Sequence, residues 1–269
     1  KLMSHRSLSI LKITASQIFR LAIDNRVMDY NPANKVTIPA KKAPSDRRAL
    51  GAEEQAWITD TPHKAQCAAM VMMYAGLRRG ELIALTWNDV NLKEGIIAVN
   101  KAVEFINGKP SLKAQTKTPA GIRTLEIPNR LIDFLLTQPH ESIYVCVNSK
   151  GQMHTKSSWR RMWKSYLADL NIKYGNFSQF DNQPKSKFDP AGVPFVIPNI
   201  TPHWLRHTFC TLLYFAGVDM LTAKTLMGHS NINTTMSIYS HLDALHKRKQ
   251  ASKLNDYLEN TRQMLVNNN

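Results

Sequence analysis

The sequence contains few cysteines and no long apolar run, and each shortage excludes a class of protein. Its three cysteines, Cys67, Cys146 and Cys210, lie in apolar surroundings without C-x-x-C spacing. An odd number without that spacing argues against a disulfide framework or a cysteine metal site and favours buried, reduced thiols. The longest apolar run, Cys67–Leu77, is too short to cross a bilayer, and no secretory signal pattern opens the chain. We therefore expect a cytoplasmic protein with no membrane partner.

Acidic residues are also scarce relative to basic ones. Lys and Arg total 35 against 20 Asp and Glu, which gives a formal net charge of +15. Such an excess indicates a polyanionic partner, most simply nucleic acid, although a merely basic soluble protein would share it. The 269 residues suffice for one large hydrophobic core and a small additional unit.

The N-terminal part predicts a helix followed by a basic, proline-containing segment. Apolar residues recur with helical spacing over Ser9–Val27, and Asn31-Pro32 ends the pattern. One helix cannot bury its apolar face alone, so we expect it to belong to a larger helical domain that is truncated here. Residues 39–48 then form either an ordinary solvated linker or a segment that follows a phosphate backbone. Their basic residues are Lys41, Lys42, Arg47 and Arg48.

The stretch Thr201–Leu242 carries hydrogen-bonding and nucleophilic side chains on short predicted helices. Thr201-Pro202 is a helix start, and a second helix is expected over Met220–Met227, with Asp219 as its N-cap and Gly228 at its end. Taken singly, each polar residue of the stretch could be a packed core residue. Together they suit a phosphodiester, because arginine binds non-bridging oxygens, histidine transfers protons and tyrosine can attack. These candidates are His203, Arg206, His229 and Tyr239.

Basic residues upstream extend this set of candidates. Arg78 and Arg79 stand where a helix should begin, a position that the helix dipole disfavours for cations. Either a bound anion or a surface pair with Glu81 would explain them. A helix over 156–170 carries a basic face, made by Arg160, Arg161 and Lys164, that could meet phosphate or only water.

Strands are predicted at 96–99, 112–116 and 122–127, and a turn at 118–121 joins the last two as a hairpin. Lys117 lies at the edge of this hairpin, where an isolated lysine would ordinarily be solvated. Residues 174–200 show no period and are longer than a usual connection.

The motifs H-x-x-R-H-T, L-M-G-H-S and I-Y-S-H, with G-L-R-x-G-E upstream, resemble the active-site half of the tyrosine recombinases, the phage integrase family. The resemblance covers roughly Pro44–Leu242. It implies a mixed, mainly α fold with a small antiparallel β-sheet. It further implies that residues 1–38 end a truncated core-DNA-binding domain, 39–48 form the linker and 49–269 form the catalytic domain. A tail helix at about 243–265 would dock on a neighbouring protomer.

The resemblance also implies the chemistry of a site-specific DNA recombinase. Tyr239 would attack a DNA phosphodiester and form a 3′-phosphotyrosine intermediate, without metal, ATP or any other cofactor. The implied catalytic partners are Arg78, Arg206, His203, His229 and Lys117, with Lys113 as the fallback for the lysine. The basic residues above, including Arg79, would contact DNA.

The implied partners are double-stranded DNA core sites, three further copies of the chain in a tetramer on DNA, and possible accessory DNA-bending proteins. The host would be a bacterial or phage-infected cell. The N-terminal helix and the 174–200 segment favour the integrase and excisionase of a mobile element.

Several alternatives remain open from the sequence. A zinc hydrolase could use His203, His207 and His229, but Trp204 occupies the position where that motif needs a glutamate base. A non-catalytic DNA-binding regulator could use 219–239 as a helix-turn-helix. A housekeeping chromosome-resolution recombinase or a topoisomerase-like relative would share the chemistry.

Overall fold

The computed structural model describes residues 3–40, 48–113, 122–180, 183–190 and 192–239. Helices dominate these residues, and two small antiparallel sheets accompany them, as predicted. The chain divides into two compact units, Lys1–Arg47 and Arg48–Asn269. None of the described helices is both long enough and apolar enough to cross a membrane.

The first unit consists of one long helix and a short turn. Helix α1, His5–Asp24, begins at Ser4, whose hydroxyl accepts a bond from the backbone N–H of Ser7, and none of its residues is buried. A 3₁₀ turn at Pro32–Lys35 follows. The Asn31 side-chain amide donates to the carbonyl and the hydroxyl of Ser16, at 3.1 and 2.9 Å, and so ties the turn to the helix. The assignment of this helix to a core-DNA-binding domain stays a prediction.

The second unit contains eight helices among its described residues: α2 Ala52–Thr59, α3 Gln66–Tyr74, α4 Arg79–Ala84, α5 Asn129–Leu136, α6 Lys156–Tyr174, α7 Pro202–Phe215, α8 Met220–Met227 and α9 Ile232–Tyr239. Helix α3 is the centre of the core. It is apolar on all sides, and every residue from Cys67 to Tyr74 is buried. Helix α7 packs against it. The three cysteines are buried, as predicted, and none of them forms a disulfide within the described part of the chain.

The strands pair differently from the prediction. A three-stranded sheet has the order β1 Val90–Asn91, β2 Ile96–Val99, β5 Arg123–Glu126, and a separate hairpin joins β3 Ala102–Ile106 to β4 Lys109–Lys113. The predicted hairpin between 112–116 and 122–127 is therefore wrong for the described residues, because β4 pairs with β3 and β5 with β2. The turn that joins β3 to β4 is Asn107-Gly108, with φ of 49° and 79°. Asn-Gly is a strong local signal for such a turn, and the sequence interpretation overlooked it.

The capping signals near the C-terminus are confirmed. Thr201 accepts from the backbone N–H of Trp204 at the start of α7, and Asp219 accepts from Leu221 and Thr222 at the start of α8. Gly228 closes α8 in the left-handed conformation, at φ 61°. These caps fix the ends of the two helices that carry the motifs.

The described residues of the 174–200 segment form no helix or strand after α6, as its lack of period predicted. The Asn171 side chain holds the segment along α6, because its amide donates to the Pro194 carbonyl and its oxygen accepts from the N–H groups of Val196 and Ile197. Trp163 donates to the Ile200 carbonyl at 2.9 Å. These contacts fix the position at which the chain enters α7.

Candidate active site

Arg78 lies at the junction between α3 and α4, where it is the N-cap of α4. Its guanidinium donates to Glu81 Oε1 at 2.7 Å and to the Gly228 carbonyl at 2.6 Å. Its side chain remains 44% exposed, so the group is anchored and still accessible. The predicted pairing of Arg78 with Glu81 thus exists. It is not a surface pair, however, because the Glu81 side chain is only 3% exposed.

Arg206 lies on α7 and is buried, with 4% exposure. Its two terminal nitrogens donate to the carbonyls of Gly76 and Met227. Burial, helped by the charge of Arg78 and opposed by that of Glu81, lowers the pKa of Arg206 to about 9. The guanidinium therefore stays charged at neutral pH, held in a fixed orientation by two backbone acceptors.

Gly76 lets Arg206 reach the loop before α4. It adopts φ +63°, and a Cβ on this residue would lie 2.2 Å from Cδ1 of Phe209, one turn after Arg206 on α7. Only glycine combines that backbone angle with so close an approach to the ring. The contact brings the Gly76 carbonyl within reach of the Arg206 guanidinium.

Arg123, at the first position of β5, is a third arginine near Arg78 and Arg206. The sequence analysis did not single it out. We call these three arginines, together with Glu81 and His229, the arginine cluster. Its side chain is 4% exposed and forms an ion pair with Glu81 at 2.9 Å. Its Nε donates to the Leu226 carbonyl at 2.8 Å. Arg123 and Glu81 are far apart in sequence, so local motif analysis had no means of pairing them.

The C-terminal end of α8 joins the three arginines. The consecutive carbonyls of Leu226, Met227 and Gly228 accept hydrogen bonds from Arg123, Arg206 and Arg78, respectively. Carbonyls at a helix C-terminus lack partners within the helix and carry its negative partial charge, so they suit cationic donors. The segment Leu226–Gly228 thus gathers guanidinium groups from three distant parts of the chain.

His229 follows immediately and is also buried. Its Nδ1 lies 2.9 Å from the Thr235 hydroxyl, which fixes the ring orientation. Burial, together with the charges of Arg206 and Arg78, lowers the pKa of His229 to about 3. The imidazole is therefore neutral at pH 7, with one N–H available as a hydrogen-bond donor.

His203 is exposed on the first turn of α7, and its ring meets that of His207 edge to face at 4.5 Å. Within the part of the chain that the structure describes, no three His, Cys, Asp or Glu side chains are arranged to hold a metal ion. His203, His207 and His229 therefore do not form the ligand set that a zinc hydrolase would require.

A cleft of about 530 Å³ brings these groups together. Arg78, Arg206, His203 and His229 all line it, with Arg79, Ser230 and Thr234. Tyr239 lies on α9 five residues after Thr234, about 7.5 Å further along the helix axis. Its side chain and all of Lys117 lie outside the described residues. The fallback Lys113 is described, pairs with Glu104 and is not among the residues lining the cleft.

A basic groove of about 900 Å³ adjoins the cleft, and Arg79 and Pro202 line both. None of the described residues that line the groove is acidic. Five cationic residues belong to this described lining: Arg79, Lys109, Lys156, Arg160 and Lys164. The sequence interpretation missed both Lys109 and Lys156. Lys109 was missed because the hairpin that brings it to α6 was not predicted.

The other predicted DNA-binding residues lie apart from the groove or outside the description. Arg161 is exposed on α6 and does not line the groove. Arg48 forms two bonds of 2.5 Å with the Glu54 carboxylate and stacks on the Trp204 ring at 5.0 Å. Lys41, Lys42 and Arg47 lie outside the described residues, as does the predicted tail helix at 243–265.

Residues 49–246 match the model of the phage integrase family. The chain belongs to the phage integrase family. The matched range includes every cleft residue described above and all six predicted catalytic positions, whose individual roles stay predictions.

Curated relatives include both tyrosine recombinases of the Xer type and integrases of mobile elements. A XerC-like tyrosine recombinase of Caldanaerobacter subterraneus is 28% identical over 94% of this chain and 66% of its own length. The ICEBs1 integrase of Bacillus subtilis is 26% identical over 95% of this chain and 67% of its own length. The tyrosine recombinase XerA of Thermococcus kodakarensis is 32% identical over 73% of this chain and 57% of its own length. The chain thus spans about two thirds or less of these relatives.

Solved structures of two integrases share the fold. The Tn1549 transposon integrase, solved in complex with circular intermediate DNA, has a TM-score of 0.70 at 20% identity, over 94% of this chain and 81% of that one. A lambda integrase dimer bound to a COC′ core site has a TM-score of 0.52 at 16% identity, over 87% of this chain and 59% of that one. The predicted tyrosine-recombinase fold is confirmed.

Proposed function

We propose that this chain is a site-specific DNA recombinase that cuts and rejoins DNA through a 3′-phosphotyrosine intermediate. The observation that carries the proposal is the meeting of Arg78, the N-cap of α4, and Arg206, on α7, in one cleft with His203 and His229. Two guanidinium groups held by backbone carbonyls and open to a common cleft suit the two non-bridging oxygens of one phosphate.

In the proposed reaction the Tyr239 hydroxyl oxygen attacks phosphorus, and the bond from phosphorus to the 5′-oxygen breaks. His203 accepts the tyrosine proton, and Lys117 gives a proton to the leaving 5′-oxygen. Arg78 and Arg206 balance the charge that develops on the phosphate, and neutral His229 donates a hydrogen bond to it. The phosphotyrosine bond conserves the energy of the phosphodiester, so the scheme requires neither ATP nor metal.

The basic groove extends this proposal to DNA binding. Five cations, with no acid among the described residues that line the groove, form a surface suited to a phosphate backbone. The groove is continuous with the cleft through Arg79, which lets one strand occupy both. We assign the groove to the DNA that flanks the cleaved phosphate. The segment 39–48, with Lys41, Lys42, Arg47 and Arg48, is assigned to the same duplex as an interdomain linker, between a core-binding unit at 1–38 and the catalytic domain at 49–269.

The finer proposal is the integrase and excisionase activity of a mobile element, acting in the cytoplasm of a bacterial or phage-infected cell. The ICEBs1 integrase, which matches nearly the whole chain, and the integrase of Staphylococcus phage L54a support it. The partners proposed are double-stranded core sites, a homotetramer joined through the tail at about 243–265, and accessory DNA-bending proteins. Recombination of plasmids carrying the joined ends of the element tests this proposal, and activity confined to a chromosomal resolution site would contradict it.

A suicide substrate tests the chemistry. A nicked core-site duplex loses a short fragment after cleavage and traps the protein on DNA, which a denaturing gel detects. The expected result is a DNA-linked band that is absent in Tyr239→Phe, with DNA binding retained by both proteins. No covalent band from the wild type would favour a non-catalytic regulator. Relaxation of supercoiled DNA without strand exchange would favour a topoisomerase-like relative.

A further inference from the structure

The Glu81 carboxylate is shared between two arginines. Its Oε1 accepts from Nη1 of Arg78 at 2.7 Å and from Nη1 of Arg123 at 3.3 Å. Its Oε2 accepts from the backbone N–H of Arg78 and from Nη2 of Arg123, both at 2.9 Å. Arg123 therefore supplies two of the four donors to a buried carboxylate, in the forked geometry that guanidinium and carboxylate groups favour.

The net charge of the arginine cluster depends on how Glu81 is shared between Arg78 and Arg123. Arg78, Arg123 and Arg206 contribute three positive charges and Glu81 one negative charge, and neutral His229 adds none. Burial alone would raise the pKa of Glu81, but the hydrogen bonds and charge of Arg123, with those of Arg78, lower it and keep the carboxylate ionised. With Arg123 absent, Glu81 would be balanced by Arg78 alone, and Arg206 would be the one unbalanced cation among these groups.

The difference between an excess of two positive charges and an excess of one matters for the reaction proposed above. A phosphodiester carries one negative charge, and it gains a second as the deprotonated tyrosine oxygen adds to phosphorus. Stabilisation that grows with this added charge accelerates the step, whereas equal stabilisation of substrate and transition state does not. A cluster with two excess positive charges is matched to the more highly charged species.

Arg123 also fixes where these charges lie. Its Nε holds the Leu226 carbonyl, whose neighbours Met227 and Gly228 hold Arg206 and Arg78. Its side chain is only 4% exposed, and Arg123 is not among the residues that line the cleft. Any effect on the phosphate must therefore pass through Glu81 and the end of α8.

We propose that Arg123 is a positioning residue of this active site, which neutralises Glu81 and so leaves the charge of Arg78 available to the scissile phosphate. The inference rests on the proposed recombinase function and assigns a fourth charged residue to its machinery.

Charge-balanced variants test the proposal. Arg123→Gln reduces the excess charge of the cluster from two to one, and the double variant Arg123→Gln/Glu81→Gln restores two while keeping side chains that can hydrogen-bond to each other. The matched control is Arg130→Gln, because Arg130 packs on the Tyr74 ring and lines neither the cleft nor the groove. The measurements are the single-turnover rate of covalent complex formation, the Kd for uncleaved DNA and the thermal unfolding temperature.

We expect Arg123→Gln to slow covalent complex formation by about 10²-fold, at the lower end of the loss for a charge-stabilising group, with Kd changed less than about threefold. The double variant is expected to return to within about tenfold of the wild-type rate, and Arg130→Gln to match the wild type. A double variant no faster than Arg123→Gln would overturn the proposal. If Arg123→Gln does not fold, the folded double variant decides: a rate within tenfold of wild type supports the proposal, and a slower one overturns it.

Inorganic phosphate provides a readout that is independent of cleavage. The His229 ring resonance, followed by NMR during a phosphate titration, reports on an anion entering the cleft. Binding should weaken in Arg123→Gln, recover in the double variant and stay unchanged in Arg130→Gln. Equal binding by all four proteins would overturn the charge argument. A wild type that binds phosphate with this pattern but forms no covalent complex would refute the recombinase function and leave the role of Arg123 in the cleft standing.

Discussion

Replacing Arg206 by lysine separates the two properties that the buried guanidinium combines, its charge and its fork. Arg206 donates to the Gly76 and Met227 carbonyls while it lines the cleft. A lysine ends in one nitrogen, which cannot occupy the positions of both guanidinium nitrogens, so the hydrogen bond to one of the two buried carbonyls is weakened or lost. We expect Arg206→Lys to reduce the free energy of unfolding by about 1–3 kcal/mol for that reason.

The lysine should also titrate near neutral pH. Burial and the neighbouring Arg78 lower the pKa of Arg206 to about 9, with Glu81 acting in the opposite direction. The same surroundings should lower the pKa of a lysine at this position well below its ordinary value of about 10.4, toward neutral pH. The ammonium would then lose its proton as the pH rises above neutrality, whereas the wild-type arginine stays charged there.

Activity and stability should then change in opposite directions with pH. Cleavage by Arg206→Lys should be about 10²–10³-fold slower than wild type even when the lysine is charged, and should fall further as pH rises through 7. Its stability relative to wild type should rise from about neutral pH to about pH 9, because there the unfolded lysine binds the proton that the folded one has released, while Arg206 of the wild type is still charged in both states.

The assay is single-turnover formation of the covalent complex from pH 6 to 9, paired with urea unfolding over the same range. Arg130→Lys is the control, since its guanidinium lies outside the cleft. Flat pH profiles of both rate and stability, relative to wild type, would refute the reasoning about burial. A cleavage rate of Arg206→Lys equal to that of the wild type would refute the assignment of the Arg206 guanidinium to the phosphate.

Further predictions concern the loop and the groove. Gly76→Ala should destabilise the protein by at least about 1–3 kcal/mol in urea unfolding, because its φ is +63° and its Cβ would meet the Phe209 ring at 2.2 Å. Gly108→Ala is the control, since its φ is +79° but nothing lies within 4 Å, and an equal loss would contradict the steric argument. Lys156→Ala and Arg160→Ala should each make the log–log salt dependence of DNA binding shallower by about 0.9, and an unchanged slope would remove that residue from the phosphate contacts.

The arginines at the cleft are held in place mainly by the ends of helices. The helix cap at Gly228 exposes three carbonyls of α8 to three arginines, and the capping box at the start of α4 lets Glu81 reach back to the Arg78 backbone. Because backbone geometry at a helix end is fixed, the arginines bound to it are fixed too. This arrangement orients the guanidinium groups before any anion binds, which is the condition for electrostatic preorganisation.

Local patterns in the sequence determined much of the molecule. Thr201-Pro202, Asp219 and Gly228 marked helix ends that depend only on residues a few positions apart, and the structure has them where predicted. The Asn107-Gly108 turn was equally local and was overlooked. The spaced motifs around Arg78, Arg206 and His229 identified the family, because their order and spacing are written directly in the chain.

Only the tertiary structure decided how the charges are balanced. Glu81 and Arg123 come from α4 and β5, and their pairing follows from the way β5 lies beside β2 and near the end of α8. Lys109 joins the groove because the turn of its hairpin meets the start of α6, where the Lys156 N–H donates to the Gly108 carbonyl at 3.0 Å. Backbone acceptors carry no signature in the sequence, since every residue has a carbonyl. Which carbonyls meet an arginine is settled when distant segments pack.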